Sequence, residues 1–268
     1  MAIFKYEMKQ YRNYVIVWSL ALSCTIFFLI PVFISLMSNN ALVTPDTLKT
    51  IQNSPILKAT GTDINSMLTP LGSFSYVNSF IMIAAAINGA FIGISMISKE
   101  YTQKTNDFLM TKPHSRSSVF INKLLAGSCC CLITGSIYLV TSYVVMQINA
   151  KGRFDILTML LIAFSIILIQ FIYMALGFLI VMFIPNIRVP SIVALCIAFI
   201  TYVFGTYSRI VTNSHLELLS PFSYFSGGYI LQYGSYDTKY LLLFTILTVA
   251  FTLASYSIFV RKEIMSVS

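Results

Sequence analysis

Residues 156–184 read ILTMLLIAFSIILIQFIYMALGFLIVMFI, an apolar run without a single charged residue. About 20 such residues are enough for a helix to cross the hydrocarbon of a bilayer. Backbone groups in lipid must hydrogen bond within the protein, and this run lacks the two-residue alternation that a membrane strand would show. The run therefore predicts a transmembrane helix, and it decides the fold class of the chain.

The rest of the chain repeats this character. Its composition is 57% hydrophobic and 14% aromatic, and its mean hydropathy is +0.82, whereas a soluble domain is roughly 45–50% apolar. We predict an all-α integral membrane protein in which residues 1–268 form a single six-span domain. The predicted spans are approximately 15–37, 76–97, 124–148, 156–184, 189–207 and 240–260.

Residues 1–14 predict an amphipathic helix, because apolar and basic residues each recur at helical spacing. Such a helix tends to lie in the headgroup layer, so we expect an interfacial helix before the first span. An ordinary basic flank is the alternative. The apolar face would hold Phe4, Met8 and Tyr11, and the basic face Lys5, Lys9 and Arg12.

The distribution of Lys and Arg predicts the orientation. Most of them fall in the segments that share a side with the N-terminus, and cytoplasmic segments are the ones enriched in these residues. An even number of spans then puts both termini in the cytoplasm. The net charge of +8 is thus an orientation signal; because the basic residues are spread over separate loops, we expect no nucleic-acid partner.

Several function classes are disfavoured. The predicted spans hold no ionisable Asp, Glu, Lys, Arg or His, which proton- and ion-coupled carriers usually need. The only histidines, His114 and His215, lie in loops, and the dipeptide Gly-Lys of a P-loop never occurs. Three consecutive cysteines, 129–131, point about 100° apart on a helix and cannot converge on one ion. We therefore predict no enzyme and no catalytic, cofactor-binding or metal-binding residue.

The densest run of charge lies between the second and third spans. Residues 98–123 read SKEYTQKTNDFLMTKPHSRSSVFINK. The pattern predicts a short helix that Pro113 ends, followed by a second helix that Ser115 caps. Phe108 and Leu109 would form an apolar knob within a charged shell, which suits insertion into a groove on a partner. An ordinary solvated loop is the alternative.

This segment resembles the signature of ABC-2 type permeases, the membrane subunits of many bacterial ABC exporters. The matching residues, in the family's order, are Glu100, Thr105, Asp107, Leu109, Pro113, Ser115, Arg116 and Lys123. Lys104 stands where the family usually has a glycine. Residues 4–13 and 219–225 also resemble family motifs, so the likeness extends over the whole chain.

The resemblance implies a coupling helix at 98–123 that docks on a cytoplasmic ABC ATPase present in two copies. It also implies a second permease copy or a paralogue, and a bacterial cell membrane as the location. ATP and Mg²⁺ would be bound by the partner, with no cofactor on this chain. The implied ATPase-docking residues are Glu100, Lys104, Thr105, Asp107, Phe108, Leu109, Pro113 and Arg116.

Two further sets of residues are candidates within the spans. Ala86, Gly89 and Gly93 present a small-residue surface that suits contact with a second permease, or packing within one subunit. The few polar residues of the spans are candidates for a substrate path, although polar residues in spans also pack against one another. These path candidates are Asn78, Asn88, Ser165 and Gln170.

An aromatic-rich segment, 208–238, precedes the last span on the side opposite the termini. Its tyrosines and phenylalanines suit a re-entrant or interfacial hairpin, or a plain aromatic belt at the membrane boundary. We expect an ATP-driven exporter subunit that moves an amphipathic peptide or a lipid-like substrate. The alternatives are an ATP-independent channel or secondary carrier, and a membrane anchor subunit that transports nothing.

Overall fold

The computed structural model describes residues 2–38, 64–102, 115–211 and 217–261. Within these ranges the chain forms helices and no strand, which confirms the predicted all-α class. Six helices are long and apolar enough to cross a membrane. They are α1 (Ala2–Ser38), α3 (Pro70–Thr102), α4 (Arg116–Ala150), α5 (Ile156–Phe183), α6 (Pro190–Val211) and α9 (Thr238–Arg261). Three short helices complete the described part: α2 (Ile64–Met67), α7 (Pro221–Tyr224) and α8 (Gly227–Tyr233).

The six long helices match the six predicted spans one for one, and most of them extend beyond the predicted limits. The first is the clearest case. Residues 2–14 belong to the same unbroken helix as the first span, whereas the sequence predicted a separate interfacial helix over 1–14. Within this helix Tyr11 is buried, Phe4 and Met8 are partly buried, and Lys5, Lys9 and Arg12 are exposed.

Two helix starts follow directly from local sequence. Ser115 is extended and its Oγ accepts a hydrogen bond of 3.3 Å from the backbone N–H of Ser118, which confirms the predicted cap of α4. Asp155 caps α5 in the same way, and its Oδ2 accepts from the N–H of Thr158 at 3.0 Å. Hydrogen bonds from Thr158 hold the pKa of Asp155 below its usual value, so this cap is a carboxylate.

The centre of the bundle is α3, which packs most extensively on α5 and also contacts α1, α4 and α6. Residues on every side of α3 and α5 are buried. By contrast, α9 buries only Phe244, Ser255 and Phe259, so it lies at the periphery. Its apolar outer face, exposed at Leu242 and Ile246, suits contact with lipid.

The two ends of the bundle differ in chemistry. One end, here termed the charged end, is defined by Glu7, Lys99, Glu100 and Lys123. The opposite end, here termed the aromatic end, is formed by residues 217–240 with the helix ends beside them. There α8 packs on α3 and α5, and α7 on α6. The two candidate sites lie at these ends.

Candidate functional site

A buried ionic cluster joins three helices at the charged end. Lys123 of α4 lies 2.9 Å from Glu7 Oε1 of α1 and 2.5 Å from Glu100 Oε1 of α3. Lys99 of α3 also forms an ion pair with Glu7 through Oε2. Lys123 is fully buried, and both carboxylates are nearly so. The cluster thus holds two positive and two negative charges and compensates them within itself.

The Lys123 ammonium has a partner for each of its three N–H groups. Besides the two carboxylates, it donates to the backbone carbonyl of Met96 at 2.6 Å. An ammonium offers three donors and no acceptor, so its hydrogen bonding is complete. A buried charge is tolerated only when it is paired and hydrogen bonded in this way. Lys123 is therefore a fixed link between the three helices.

The side of α1 that carries Glu7 continues as the helix's packing face. Glu7, Tyr11 and Val15 are buried at four-residue intervals. The Tyr11 hydroxyl lies 2.7 Å from Ser95 Oγ of α3, and the Lys99 ammonium sits over the Tyr11 ring, 4.9 Å from its centre. Glu7 is therefore the polar end of an apolar stripe.

Sequence reasoning did not predict this role for Glu7. The signal was present, since the acid is in phase with Tyr11 and Val15 and so lies on the face that α1 buries. An acid on such a face needs a cation from another element. The cations closest to the second and third predicted spans are Lys99 and Lys123, so they were the candidates for this partner.

The cluster lies where the two ends of the predicted coupling segment join α3 and α4. Helix α3 ends at Thr102 and α4 begins at Arg116, and Glu100 and Lys123 bind each other across this gap. Glu100 was predicted to meet the ATPase; in the structure it is buried and paired within the chain. Arg116 is partly buried at the start of α4. The remaining predicted docking residues lie outside the described ranges: Lys104, Thr105, Asp107, Phe108, Leu109 and Pro113.

The small residues of α3 face α5 of the same chain. A Cβ on Gly89 would lie 2.3 Å from the carbonyl oxygen of Gln170, and one on Gly93 would lie 2.2 Å from that of Met174. Ala86 is fully buried on the same helix. These residues therefore allow two helices of one subunit to approach closely, and the structure does not leave their surface open to a second copy.

The four predicted path residues are buried and hydrogen bonded to neighbouring helices. Asn78 Nδ2 donates to the Ile162 carbonyl at 3.1 Å and lies 3.4 Å from Ser165 Oγ, and Asn78 Oδ1 accepts from the Tyr138 hydroxyl at 2.7 Å. Asn78 also borders a small cavity of about 20 Å³. This group joins α3, α4 and α5 below the aromatic end.

The other two path residues meet through Thr134 of α4. Its hydroxyl donates to Gln170 Oε1 at 3.0 Å and lies 3.5 Å from Asn88 Nδ2. Both amides are fully buried. In this conformation these four polar residues form hydrogen bonds between helices.

A cavity of about 290 Å³ opens at the aromatic end. Charged and hydroxyl groups line it, among them Arg209, Glu217, Ser223, Tyr224, Tyr236 and Asp237. The aromatic segment predicted from sequence supplies most of this wall. Its two short helices, α7 and α8, are packed against the long helices, and Phe222, Tyr224 and Phe225 are buried.

Hydrogen bonds hold the walls of this cavity in place. The Arg209 guanidinium donates to the Phe222 carbonyl at 3.1 Å, the Tyr240 hydroxyl donates to Glu217 Oε2 at 2.7 Å, and the Tyr236 hydroxyl donates to the Leu161 carbonyl at 2.6 Å. Burial raises the pKa of Tyr224 to about 12, and it also raises the pKa of Tyr236. Both hydroxyls are therefore neutral donors at physiological pH.

Comparison with known proteins adds one match. The family model described as ABC-2 family transporter protein matches residues 1–264. No curated protein matches the chain at a significant level. The matched range includes both the charged end and the aromatic end.

Proposed function

Because the chain belongs to the ABC-2 family of transporter proteins, we propose that it is the transmembrane permease subunit of an ATP-driven exporter. Membrane subunits of this family generally work with an ATPase partner. The single observation that carries the proposal is the family match over residues 1–264. The six apolar helices agree with it.

In this proposal the segment 98–123 docks on a cytoplasmic ATPase, with Phe108 and Leu109 as its knob. The charged end then faces the cytoplasm, and the complex contains two ATPase copies and two permeases. The charge bias toward the predicted cytoplasmic segments supports this orientation. ATP and Mg²⁺ bind to the partner.

The ionic cluster supports a route for the ATPase's motion into the membrane. The docking segment joins the end of α3 to the start of α4. Both are ion-paired with Glu7 of α1, through Lys99 and Lys123. A push on the segment would therefore move three helices together rather than bend one. A set of packed and ion-paired elements can transmit a small displacement in this way.

The proposed cargo is an amphipathic peptide or a lipid-like molecule that leaves the cell. The long helices are apolar over most of their length, and a path between them and a second permease would be apolar as well. Such a path suits a hydrophobic cargo better than a small ion, whose dehydration it would not compensate.

The docking step is tested with Phe108→Ala and Asp107→Lys in the full chain, purified by an affinity tag from its native membranes. We expect wild-type protein to co-purify with ATP-hydrolysing activity and both variants to lose it, while membrane insertion stays normal. Phe183→Ala is the matched control, because Phe183 is an exposed aromatic at the same end of the bundle.

Equal ATP hydrolysis in all four preparations would contradict docking through this segment. Solute flux through the purified chain alone in liposomes, without any ATPase, would favour a channel or a secondary carrier instead. Absence of any ATPase from the wild-type preparation, together with absence of flux, would leave the membrane anchor as the function.

A further inference from the structure

The cavity at the aromatic end has the size and the lining of a small-ligand site. Its volume of about 290 Å³ is near the lower end of the ~300–1,000 Å³ that small-molecule pockets occupy. Three charged side chains line it: Arg209 is positive, and Glu217 and Asp237 are negative. A pocket in which both signs of charge converge suits a ligand that carries both.

Each sign of charge in the cavity wall is complementary to a particular group on a ligand. A guanidinium presents a planar fork of donors that matches the oxygens of a phosphate or carboxylate. Carboxylates attract an ammonium group, and the faces of tyrosine rings do so as well through cation–π attraction. Tyr224, Tyr229 and Tyr236 belong to the wall. The lining therefore offers one subsite for an oxyanion and another for an ammonium.

A buried hydroxyl at the cavity supplies an independent indication of a ligand. Ser223 lines the cavity and is only 5% exposed, and its Oγ has no hydrogen-bond partner among the described residues. Buried polar groups are nearly always hydrogen bonded, so an unsatisfied one at a cavity wall indicates a missing partner. The oxygen itself has almost no accessible surface, so a ligand reaches it only when the Ser223 side chain turns toward the cavity; the hydroxyl can then donate or accept.

The position of the cavity further restricts the class of ligand. It lies at the end of the bundle where tyrosines are concentrated, and tyrosine favours the boundary between hydrocarbon and water. Zwitterionic lipid headgroups occupy this layer. We propose that the cavity binds a zwitterion in which an ammonium is joined to a phosphate, as in the headgroup of phosphatidylethanolamine. The inference concerns binding alone and does not depend on ATP-driven transport.

The test uses the purified full chain and two probes. Native mass spectrometry of protein from micelles with equal phosphatidylethanolamine and phosphatidylglycerol measures which lipid stays bound, and calorimetry measures binding of soluble O-phosphoethanolamine. We expect selective retention of phosphatidylethanolamine. Ser223→Ala should weaken it about tenfold, the loss expected for one hydrogen bond to a charged group.

Two further variants separate binding from folding. Glu217→Gln keeps an oxygen for the Tyr240 hydroxyl but removes the charge, and it should also weaken binding about tenfold. Ser19→Ala is the matched control. Ser19 is buried on α1, and its Oγ likewise has no partner among the described residues, but it lies outside the cavity. It should leave binding unchanged, and all three variants should melt within a few degrees of wild type.

The outcomes divide clearly. Retention of phosphatidylethanolamine that Ser223→Ala and Glu217→Gln weaken supports the proposal. Binding of soluble O-phosphoethanolamine with the same sensitivity, but no lipid retention, supports the site and assigns the ligand to solution. Retention of phosphatidylglycerol alone, binding that both cavity variants leave intact, or no binding of either probe would overturn it.

Discussion

Replacing Lys123 with methionine removes one of the two positive charges of the ionic cluster while keeping a side chain of similar length. Glu7 and Glu100 would remain buried, with Lys99 as the sole cation of the cluster. Removing one partner of a buried ion pair costs about 3–5 kcal/mol, because an uncompensated charge is left in a medium of low dielectric constant. Burial is complete at Lys123, so we expect a loss in this range.

The measurement is thermal unfolding of the full chain in detergent micelles. A loss of this size corresponds to a drop in Tm on the order of 10 °C. Lys5→Met is the matched control, because Lys5 is an exposed lysine on α1, and it should shift Tm by no more than about 2 °C. The double variant Lys123→Met/Glu100→Gln restores neutrality, since Glu7 keeps Lys99, and should recover part of the loss. Equal melting temperatures for Lys123→Met and Lys5→Met would refute the reasoning.

Three other predictions use the same unfolding assay. Gly89→Ala should destabilise the protein by about 1–3 kcal/mol, because the added Cβ meets backbone of α5; Gly127→Ala should cost less, since the nearest atom is a flexible methionine sulfur at 2.9 Å. Equal losses of stability in Gly89→Ala and Gly127→Ala would contradict the role given to the close approach of the α5 backbone. Thr134→Val should cost about 1–3 kcal/mol by leaving the side-chain amide oxygen Oε1 of Gln170 without its donor, and an unchanged Tm would disprove this. The carboxylate of Asp155, whose pKa is lowered by hydrogen bonds from the first turn of α5, stabilises the fold above the usual Asp pKa and loses that effect as pH falls through its folded pKa. Asp155→Asn should therefore flatten the acid side of the Tm-against-pH curve, and an identical curve would contradict the role.

The number and places of the long helices follow from the sequence because each span must be apolar for its whole passage through lipid. The run 156–184 and helix α5 differ by one residue at a single end. The cap at Ser115 was also predictable, since it depends on residues adjacent in the chain. The long helices follow from the apolarity that lipid requires, and the cap follows from residues that are neighbours in the chain.

What the sequence did not reveal depends on which helix faces which. Glu100 looked like a surface charge of the docking segment, and only the position of Lys123 on a neighbouring helix makes it a buried partner. Gly89 and Asn88 allowed two interpretations each, and only the structure shows that they contact α5 and α4 of the same chain. Helical periodicity gives the faces of a helix, but not the identity of its neighbours.

The ionic cluster has a consequence for how the protein is made. Glu7 and its partner Lys123 are 116 residues apart, and α1 packs mainly on α4 rather than on α3, the next long helix in sequence. Helix α1 therefore cannot complete its contacts until α4 has been synthesised. Until then α1 can pack only on α3, which it contacts less extensively. The Glu7–Lys123 ion pair cannot form before α4 is present, so the charged end is completed only after three long helices have been made.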